Sequence, residues 1–399
     1  MPGQQIQTQN KPLMFKILKR FNRCRAAEMT LPHGPVRTPV YMPVGTKGGM
    51  KGLTSENMSE LIDCDIMLSN TYHLFLKPGE DIMASMGGLH KFEHWDRNIL
   101  TDSGGFQIVS LGELNSLDES GVSFKSHIDG REFKLTPERS MEIQNKIGSD
   151  IMMALDDVVP PTTTGPRVEE AMERSVRWLD RCIAAHKNTD RQNLFGIIQG
   201  GVNDDLRKRC CELMSARNLN GYAIGGLAGG EDKDDFWRTV KVCTDFLPDD
   251  KPRYVMGIGY AEDLMVCSLL GADMFDCVFA TRTARFGSVF TKYGMIKLKK
   301  EQYAEDFGPL SEGCQCYTCQ NYTRAYLQHT FRHDQSCLHL LSLHNVHYLI
   351  HLLRGLRQAV LDDSAEKYAQ EFFRNYYRED KGGIPQWIRN AMAECKIEL

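Results

Sequence analysis

The chain has 399 residues, of which 42% are hydrophobic and 25% charged, and its formal net charge at pH 7 is −4. This composition excludes a disordered chain, and the acidic balance excludes a protein coated with positive charge for general nucleic-acid binding. The sequence does not open with a basic segment followed by an apolar stretch, and no apolar run approaches a membrane span, so a cytoplasmic protein is expected.

Residues 1–12, MPGQQIQTQNKP, are polar and read as a loose N-terminus. Eight short apolar runs follow, each ending in or near Gly, Asn, Asp or Gln. They are VRTPVYMPVG from 36, IMLSNTYH from 66, NILTDSGG from 98, DIMMALDD from 150, NLFGIIQGG from 193, GYAIGGLAGG from 221, RYVMGIG from 253 and ADMFDCVF from 272. Amphipathic stretches of helical length separate most of them. Thr136 and Pro137 supply the N-cap and first position of one helix, and residues 166–186 carry Val168, Met172, Val176 and Leu179 on one face. Residues 203–217, 232–246 and 261–270 also read as helices.

Strand and helix alternating eight times predict an α/β protein, a (β/α)8 TIM barrel over residues 13–287. The segment from Val109 to Phe133 reads as a polar loop inserted at the barrel mouth, and 288–312 as irregular or short strands. A metal-binding insert is expected over 288–350 and C-terminal helices packing on the barrel over 351–399. The 13 cysteines are odd in number and scattered, with Cys210 and Cys211 inside a helical pattern, as expected of reduced core thiols.

In this fold the carboxyl ends of the strands face one mouth, so Asp102, Asp156, Gln199, Gly226, Met256 and Asp276 are expected to converge there. Asp276 lies in an apolar run, where an ionised carboxylate is costly unless it is paired or reactive. A structural aspartate held by backbone amides or by Arg282 explains that residue equally well when it is taken alone. Asp102 and Asp156 tilt the balance, because three carboxylates then close three strands. Ser103, Gly104 and Gly105 beside Asp102 are small enough to let a ligand approach the backbone.

Cys314, Cys316 and Cys319 form C-x-C-x2-C, three soft ligands suited to Zn2+. His339, His344, His347 and His351 are all within reach as a fourth. Residues 281–300 hold Arg282, Arg285, Lys292, Lys297, Lys299 and Lys300 with no acid. Alone such a strip reads as a solvated face, and beside Asp276 it reads as an RNA contact.

TDSGGFQ at 101–107, QGG at 199–201, GGLAGGE at 225–231, MGIGY at 256–260, DMFDCVFATRTARFG at 273–287 and CQCYTC at 314–319 resemble the tRNA-guanine transglycosylase family. The resemblance covers nearly the whole chain and is greatest to the catalytic subunits of the eukaryotic, queuine-inserting branch. It implies exchange of guanine-34 for queuine in the wobble position of GUN-anticodon tRNAs (Asp, Asn, His, Tyr). Asp276 would act as nucleophile, forming a covalent ribosyl intermediate, and Asp102 as the proton acceptor.

The same resemblance implies a base pocket of Ser103, Gly104, Gly105, Phe106, Asp156, Gln199, Gly226 and Met256. Asp156 would accept from a guanine-like ring, Gln199 and the Gly226 amide would donate to its carbonyl, and Phe106 and Met256 would sandwich it. Gly257, Ile258, Gly259, Tyr260, Ala261, Glu262 and Asp263, with Thr281, Arg282, Thr283, Ala284 and Arg285, match the family's anticodon-loop contacts. His344 is selected as the fourth ligand of one structural Zn2+ and is expected to open the last long helix. Gly229 and Val158 stand where bacterial relatives carry Val and Cys, and Gly229 is expected to leave room for the cyclopentenediol of queuine. Ala280 stands where the family usually has proline. The resemblance also implies a heterodimer with a homologous non-catalytic accessory subunit, in the cytoplasm and peripherally associated with the mitochondrial outer membrane.

Two other functions share parts of this pattern. A retaining glycosidase would use two carboxylates about 5 Å apart, but Trp95, Trp178, Trp237 and Trp387 fall outside the strand ends where sugar platforms belong. A non-catalytic RNA-binding partner would lack the pattern that Asp102 and Asp276 supply.

Overall fold

The computed structural model describes residues 13–399 apart from 112, 127 and 334–336, with the backbone alone at 109–111, 113–115 and 381. The loose segment expected over 1–12 lies outside the described residues. Each of the eight apolar runs supplies one strand of a parallel barrel. They are Val40–Pro43, Ile66–Ser69, Asn98–Thr101, Ile151–Met153, Asn193–Ile198, Gly221–Ile224, Arg253–Val255 and Met274–Cys277, neighbours in space in the same order. Asp276 pairs with Met42 where the eighth strand meets the first. A Val44–Leu68 bridge, with the Gly45 amide donating to the Leu68 carbonyl at 2.8 Å, joins the first to the second. Met42, Leu68, Leu100, Ile197, Tyr254 and Met274 belong to the packed interior, so the barrel is a core and not a pore.

The first run is two strands rather than one. Pro39 has no amide hydrogen to give to a ladder, and it separates Gly34–Thr38 from Val40–Pro43. Gly34–Thr38 joins Met14–Phe21 and Cys24–Leu31 in an antiparallel sheet. Met29, Leu31 and Val36 of that sheet pack on the barrel interior from its amino end. Acids standing just before barrel strands tie the sheet down: Asp273 accepts from Arg25 Nε at 3.0 Å and Asp65 from Arg37 Nε at 2.9 Å.

Pro166–Ala185, Asp204–Ser215, Lys233–Phe246 and Ala261–Leu269 link successive strands. The Arg139 amide donates to Thr136 Oγ1 at 3.2 Å at the start of Pro137–Ile147, and Asn203 and Asp232 cap their helices in the same way. The segment read as a polar loop contains a three-stranded antiparallel sheet of Glu113–Asp118, Gly121–Lys125 and Glu132–Leu135. Val122 and Phe124 are buried while Ser123 and Lys125, which alternate with them, are less so, a period of two too short to stand out from the surrounding charge.

Beyond the barrel, Ser288–Thr291 and Gly294–Lys297 form a hairpin, and helices dominate from Tyr317 onward. Leu338–Leu361 runs unbroken through position 350, where the insert was expected to give way to the C-terminal helices. It packs on the first barrel strand and on Ala261–Leu269 and Phe279–Ala284. His344 lies inside this helix and does not open it, because Leu338 begins the apolar stripe a turn and a half earlier. Ala280 is the second residue of Phe279–Ala284, a first-turn position that proline also tolerates. No helix among the described residues is long and apolar enough to cross a membrane, and no cysteine among them forms a disulfide.

Candidate active site and metal centre

Asp102 follows the strand Asn98–Thr101, and the neighbouring strand end supplies its donors. Asn70 Nδ2 donates to Oδ2, and the Thr71 amide donates to Oδ1 at 2.9 Å. Burial nevertheless pushes the Asp102 carboxyl up to about 6, and the negative charge of Asp276 adds to the rise.

Asp276 Oδ1 accepts from the Tyr254 hydroxyl and from the Gly257 amide, the latter at 2.8 Å. These donors, rather than Arg282, satisfy it. Burial also raises the Asp276 pKa from its ordinary value. The Tyr254 phenol is held well above its usual range by burial and by the charges of both Asp276 and Asp102. Both strands belong to one parallel barrel, so their carboxyl ends put the two acids on one rim although they are far apart in the chain.

The third acid belongs to a separate hydrogen-bonded group on the same mouth. Asp156 Oδ2 accepts from Gln199 Nε2 at 2.7 Å, and Oδ1 accepts from Ser103 Oγ at 3.3 Å. Ser103 Oγ also accepts from the Gly105 amide at 3.2 Å, so it serves both the pocket and its own turn. Burial pushes Asp156 up to about 6, helped by the charge of Asp157. Gln199 gives its amide hydrogen to Asp156, and its Oε1 is buried without a partner. Gly226 has φ +67°, and a Cβ there would lie 2.4 Å from that oxygen. Only glycine fits.

Gly104, with φ +83°, makes the turn that starts Gly105–Leu111, and a Cβ on Gly105 would lie 3.2 Å from Leu155. Phe106 is 60% exposed at the mouth, whereas Met256 is partly buried against the barrel interior. Gly229 opens less space than expected. A Cβ there would come within 2.8 Å of the Pro161 ring, so this glycine lets two mouth loops pack together.

Of the positions expected to touch RNA, Gly257, Tyr260 and Arg282 are exposed, and Glu262, Thr283 and Arg285 are partly so. Ile258, Gly259, Ala261, Asp263, Thr281 and Ala284 are buried. Asp263 receives the Lys233 ammonium at 2.6 Å, and Glu262 accepts from the Tyr377 hydroxyl at 3.1 Å. These two acids hold the loop rather than present it.

Asn70, Thr71 and Tyr254 were missed at the sequence level. Asn70 ends one of the eight runs, so the same reading that found Asp102 could have found it. Tyr254 sits mid-strand, and no spacing announces that its hydroxyl reaches Asp276.

Cys314, Cys316, Cys319 and His344 come together and could hold a metal ion. The three Sγ atoms lie 3.9, 3.4 and 3.3 Å from His344 Nδ1. Metal–sulfur and metal–nitrogen bonds of tetrahedral zinc would put S and N about 3.6 Å apart. His344 Nε2 lies 2.8 Å from the Phe290 carbonyl, to which it can donate, leaving Nδ1 as the ligand atom. Among the four candidate histidines, only His344 faces the thiols.

The sequence profile of the queuine tRNA-ribosyltransferase family matches residues 21–378. The chain is 49% identical over 396 residues to the queuine tRNA-ribosyltransferase catalytic subunit of Schizosaccharomyces pombe, covering 97% of this chain and 98% of that one. It is 48% identical to the catalytic subunit of Caenorhabditis elegans, covering 97% and 100%. Identity to the queuine tRNA-ribosyltransferase of Bacillus subtilis is 45%, covering 92% and 97%. A barrel whose mouth gathers three acids, a Cys3His cluster and this extent of similarity together show that the chain belongs to the queuine tRNA-ribosyltransferase family.

Proposed function

We propose that the chain exchanges guanine-34 of tRNAs with a GUN anticodon, those for Asp, Asn, His and Tyr, for queuine by two displacements at C1′. The Asp276 carboxylate attacks C1′ as the bond to guanine N9 breaks, forming a ribosyl ester, and Asp102 delivers the proton that the departing base needs. Asp102 then takes the proton from N9 of queuine, which attacks C1′ and expels Asp276. Two inversions return the original configuration. The observation that carries this reading is the placement of two acids at strand ends of one parallel barrel, Asp102 held by Asn70 and Thr71 and Asp276 by Tyr254 and Gly257. A carboxyl poised near 6 suits Asp102 to pass a proton in both directions near neutral pH.

In this reading Asp156, Gln199, Ser103 and the Gly226 amide read the base edge, with Gly104 and Gly105 allowing close approach and Phe106 and Met256 stacking on it. Arg282, Arg285, Thr281 and Thr283 with the 257–263 loop hold the anticodon backbone around a flipped nucleotide. Zn2+ is the metal proposed for Cys314, Cys316, Cys319 and His344. Four protein ligands leave it no open position, so its contribution is to hold the insert. The similarity to proteins named catalytic subunits supports assembly with a further subunit; the partner proposed is a homologous accessory subunit, and the proposed location is the cytoplasm, peripheral to the mitochondrial outer membrane.

Incubation with guanine-34 tRNA and a denaturing gel tests the mechanism. A shifted protein band is expected for the wild type and none for Asp276→Ala. A wild-type band that stays unshifted with the accessory subunit present would favour a non-catalytic RNA-binding role. Uptake of labelled queuine with and without that subunit tests the heterodimer.

A further inference from the structure

A second cluster of ligating side chains lies at the amino end of the barrel, opposite the active-site mouth. His33 comes from the turn between Cys24–Leu31 and Gly34–Thr38, His90 from the helix Leu89–Glu93, and Asp150 from the position just before Ile151–Met153. Asp150 is only 1% exposed. Its Oδ1 lies 2.6 Å from His33 Nδ1 and its Oδ2 lies 3.1 Å from His90 Nε2. Oδ2 also accepts from the Ile99 amide at 2.8 Å, which fixes the plane of the carboxylate. The two imidazoles stack with centroids 3.7 Å apart and planes 16° from parallel, so both present nitrogen to one carboxylate. All three ligand atoms lie within 4.8 Å of one another.

The surroundings have the charge a cation needs. His33 and His90 line a cavity of about 630 Å3, and Glu56, Glu60, His94 and Asp96 add three carboxylates and another imidazole to its wall. The Lys91 ammonium is the cation that also borders it.

We propose that His33, His90 and Asp150 bind one divalent first-row transition-metal ion, separate from the ion at the Cys3His cluster. The donor set selects the class. Two imidazole nitrogens disfavour Ca2+ and Mg2+, and the absence of sulfur among the donors disfavours thiophilic ions, leaving divalent first-row ions such as Zn2+, Ni2+, Co2+, Cu2+ or Fe2+. Bonds of about 2.1 Å to nitrogen and oxygen place adjacent donors about 3.0 Å apart in octahedral and 3.4 Å apart in tetrahedral geometry. The His90–Asp150 pair already has that spacing. The His33–Asp150 pair must open by less than about 1 Å, and the His33 ring, on a side chain that is 38% exposed, must turn out of its stack with His90 so that both lone pairs meet one ion. The remaining coordination positions face the cavity, where water or the wall acids can fill them. Bound there, the ion ties the amino-end antiparallel sheet, the helix Leu89–Glu93 and the start of the strand Ile151–Met153 to one point.

Metal uptake by the full chain, already carrying the metal of its Cys3His cluster, tests this. Dialysis against Ni2+ or Zn2+ followed by elemental analysis should show one more bound equivalent in the wild type than in a His33→Gln/His90→Gln double variant. Added metal should raise the melting temperature of the wild type and not of that variant. Co2+ taken up here should give no intense thiolate-to-metal absorption, whereas exchange into the Cys3His cluster would. Equal uptake by the two proteins, or a cobalt spectrum carrying only the thiolate signature, overturns the proposal. Should the double variant fail to fold by circular dichroism, His33→Gln replaces it. At least tenfold weaker binding is then expected, and unchanged affinity overturns the proposal.

Discussion

The Tyr254 hydroxyl and the Gly257 amide both donate to Oδ1 of Asp276, and neither reaches Oδ2. One oxygen is thereby anchored from the adjacent strand, and the other is left for the displacement proposed above. Tyr254→Phe removes a hydrogen bond to a charged group, worth about 1.5–3 kcal/mol. We expect kcat to fall about 10- to 100-fold with KM for tRNA nearly unchanged. The acidic limb of the pH–rate profile should move upward, because the carboxylate loses a donor that favoured its ionised form. A variant with wild-type kcat and an unmoved profile would show that Tyr254 is only structural.

Asp102 and Asp156 are both lifted from 3.8 to about 6 by burial. Between those values the folded protein keeps protons that the unfolded chain has released. Their contribution to stability therefore declines as pH rises from about 4 to about 6 and is level above that. Base recognition has the opposite sign, since only ionised Asp156 accepts from a purine edge. Affinity for free guanine should weaken about tenfold per pH unit below about 6, measured by titration calorimetry. Asp156→Asn should bind weakly throughout and lose that dependence.

Gly226→Ala puts a methyl 2.4 Å from Gln199 Oε1 at a residue with φ +67°. Strain of about 1–3 kcal/mol is expected, with Gln199 displaced from Asp156. The melting temperature should fall modestly and KM for the incoming base should rise, with the affinity for tRNA largely kept. Steady-state kinetics with both substrates varied separates these effects.

His344→Ala removes the nitrogen ligand and the link to the Phe290 carbonyl. We expect loss of the metal on elemental analysis and rapid proteolytic nicking near 300–320 in the variant. A strong chelator should do the same to the wild type, since binding of a structural metal is part of the folding free energy. An intact, protease-resistant variant without metal would refute a structural role.

Arg282 is exposed beside the mouth, next to the partly exposed Arg285. Arg282→Ala should weaken tRNA binding several-fold, lower its dependence on salt concentration, and leave affinity for the free base unchanged. Binding measured over a series of salt concentrations checks all three.

Much of this protein was legible from its residues. Eight apolar runs closing on polar residues were enough to predict the barrel, and with it the mouth where Asp102, Asp156 and Asp276 meet. Strand existence is a local property of side-chain pattern, and the parallel barrel turns that pattern into convergence. The C-x-C-x2-C spacing likewise marked a metal cluster before any fold was known. Spacing alone left four histidines open, because all four lie at helical spacings that differ only in the face they present; the family resemblance selected His344, and the tertiary structure brings that residue to the thiols. Only the tertiary structure decided that Asn70 serves Asp102, that Tyr254 serves Asp276 and that His33 and His90 flank Asp150. Each of these pairs joins segments brought together by barrel closure or by the antiparallel sheet at the barrel's amino end, and no period along the chain encodes a contact made across a ring.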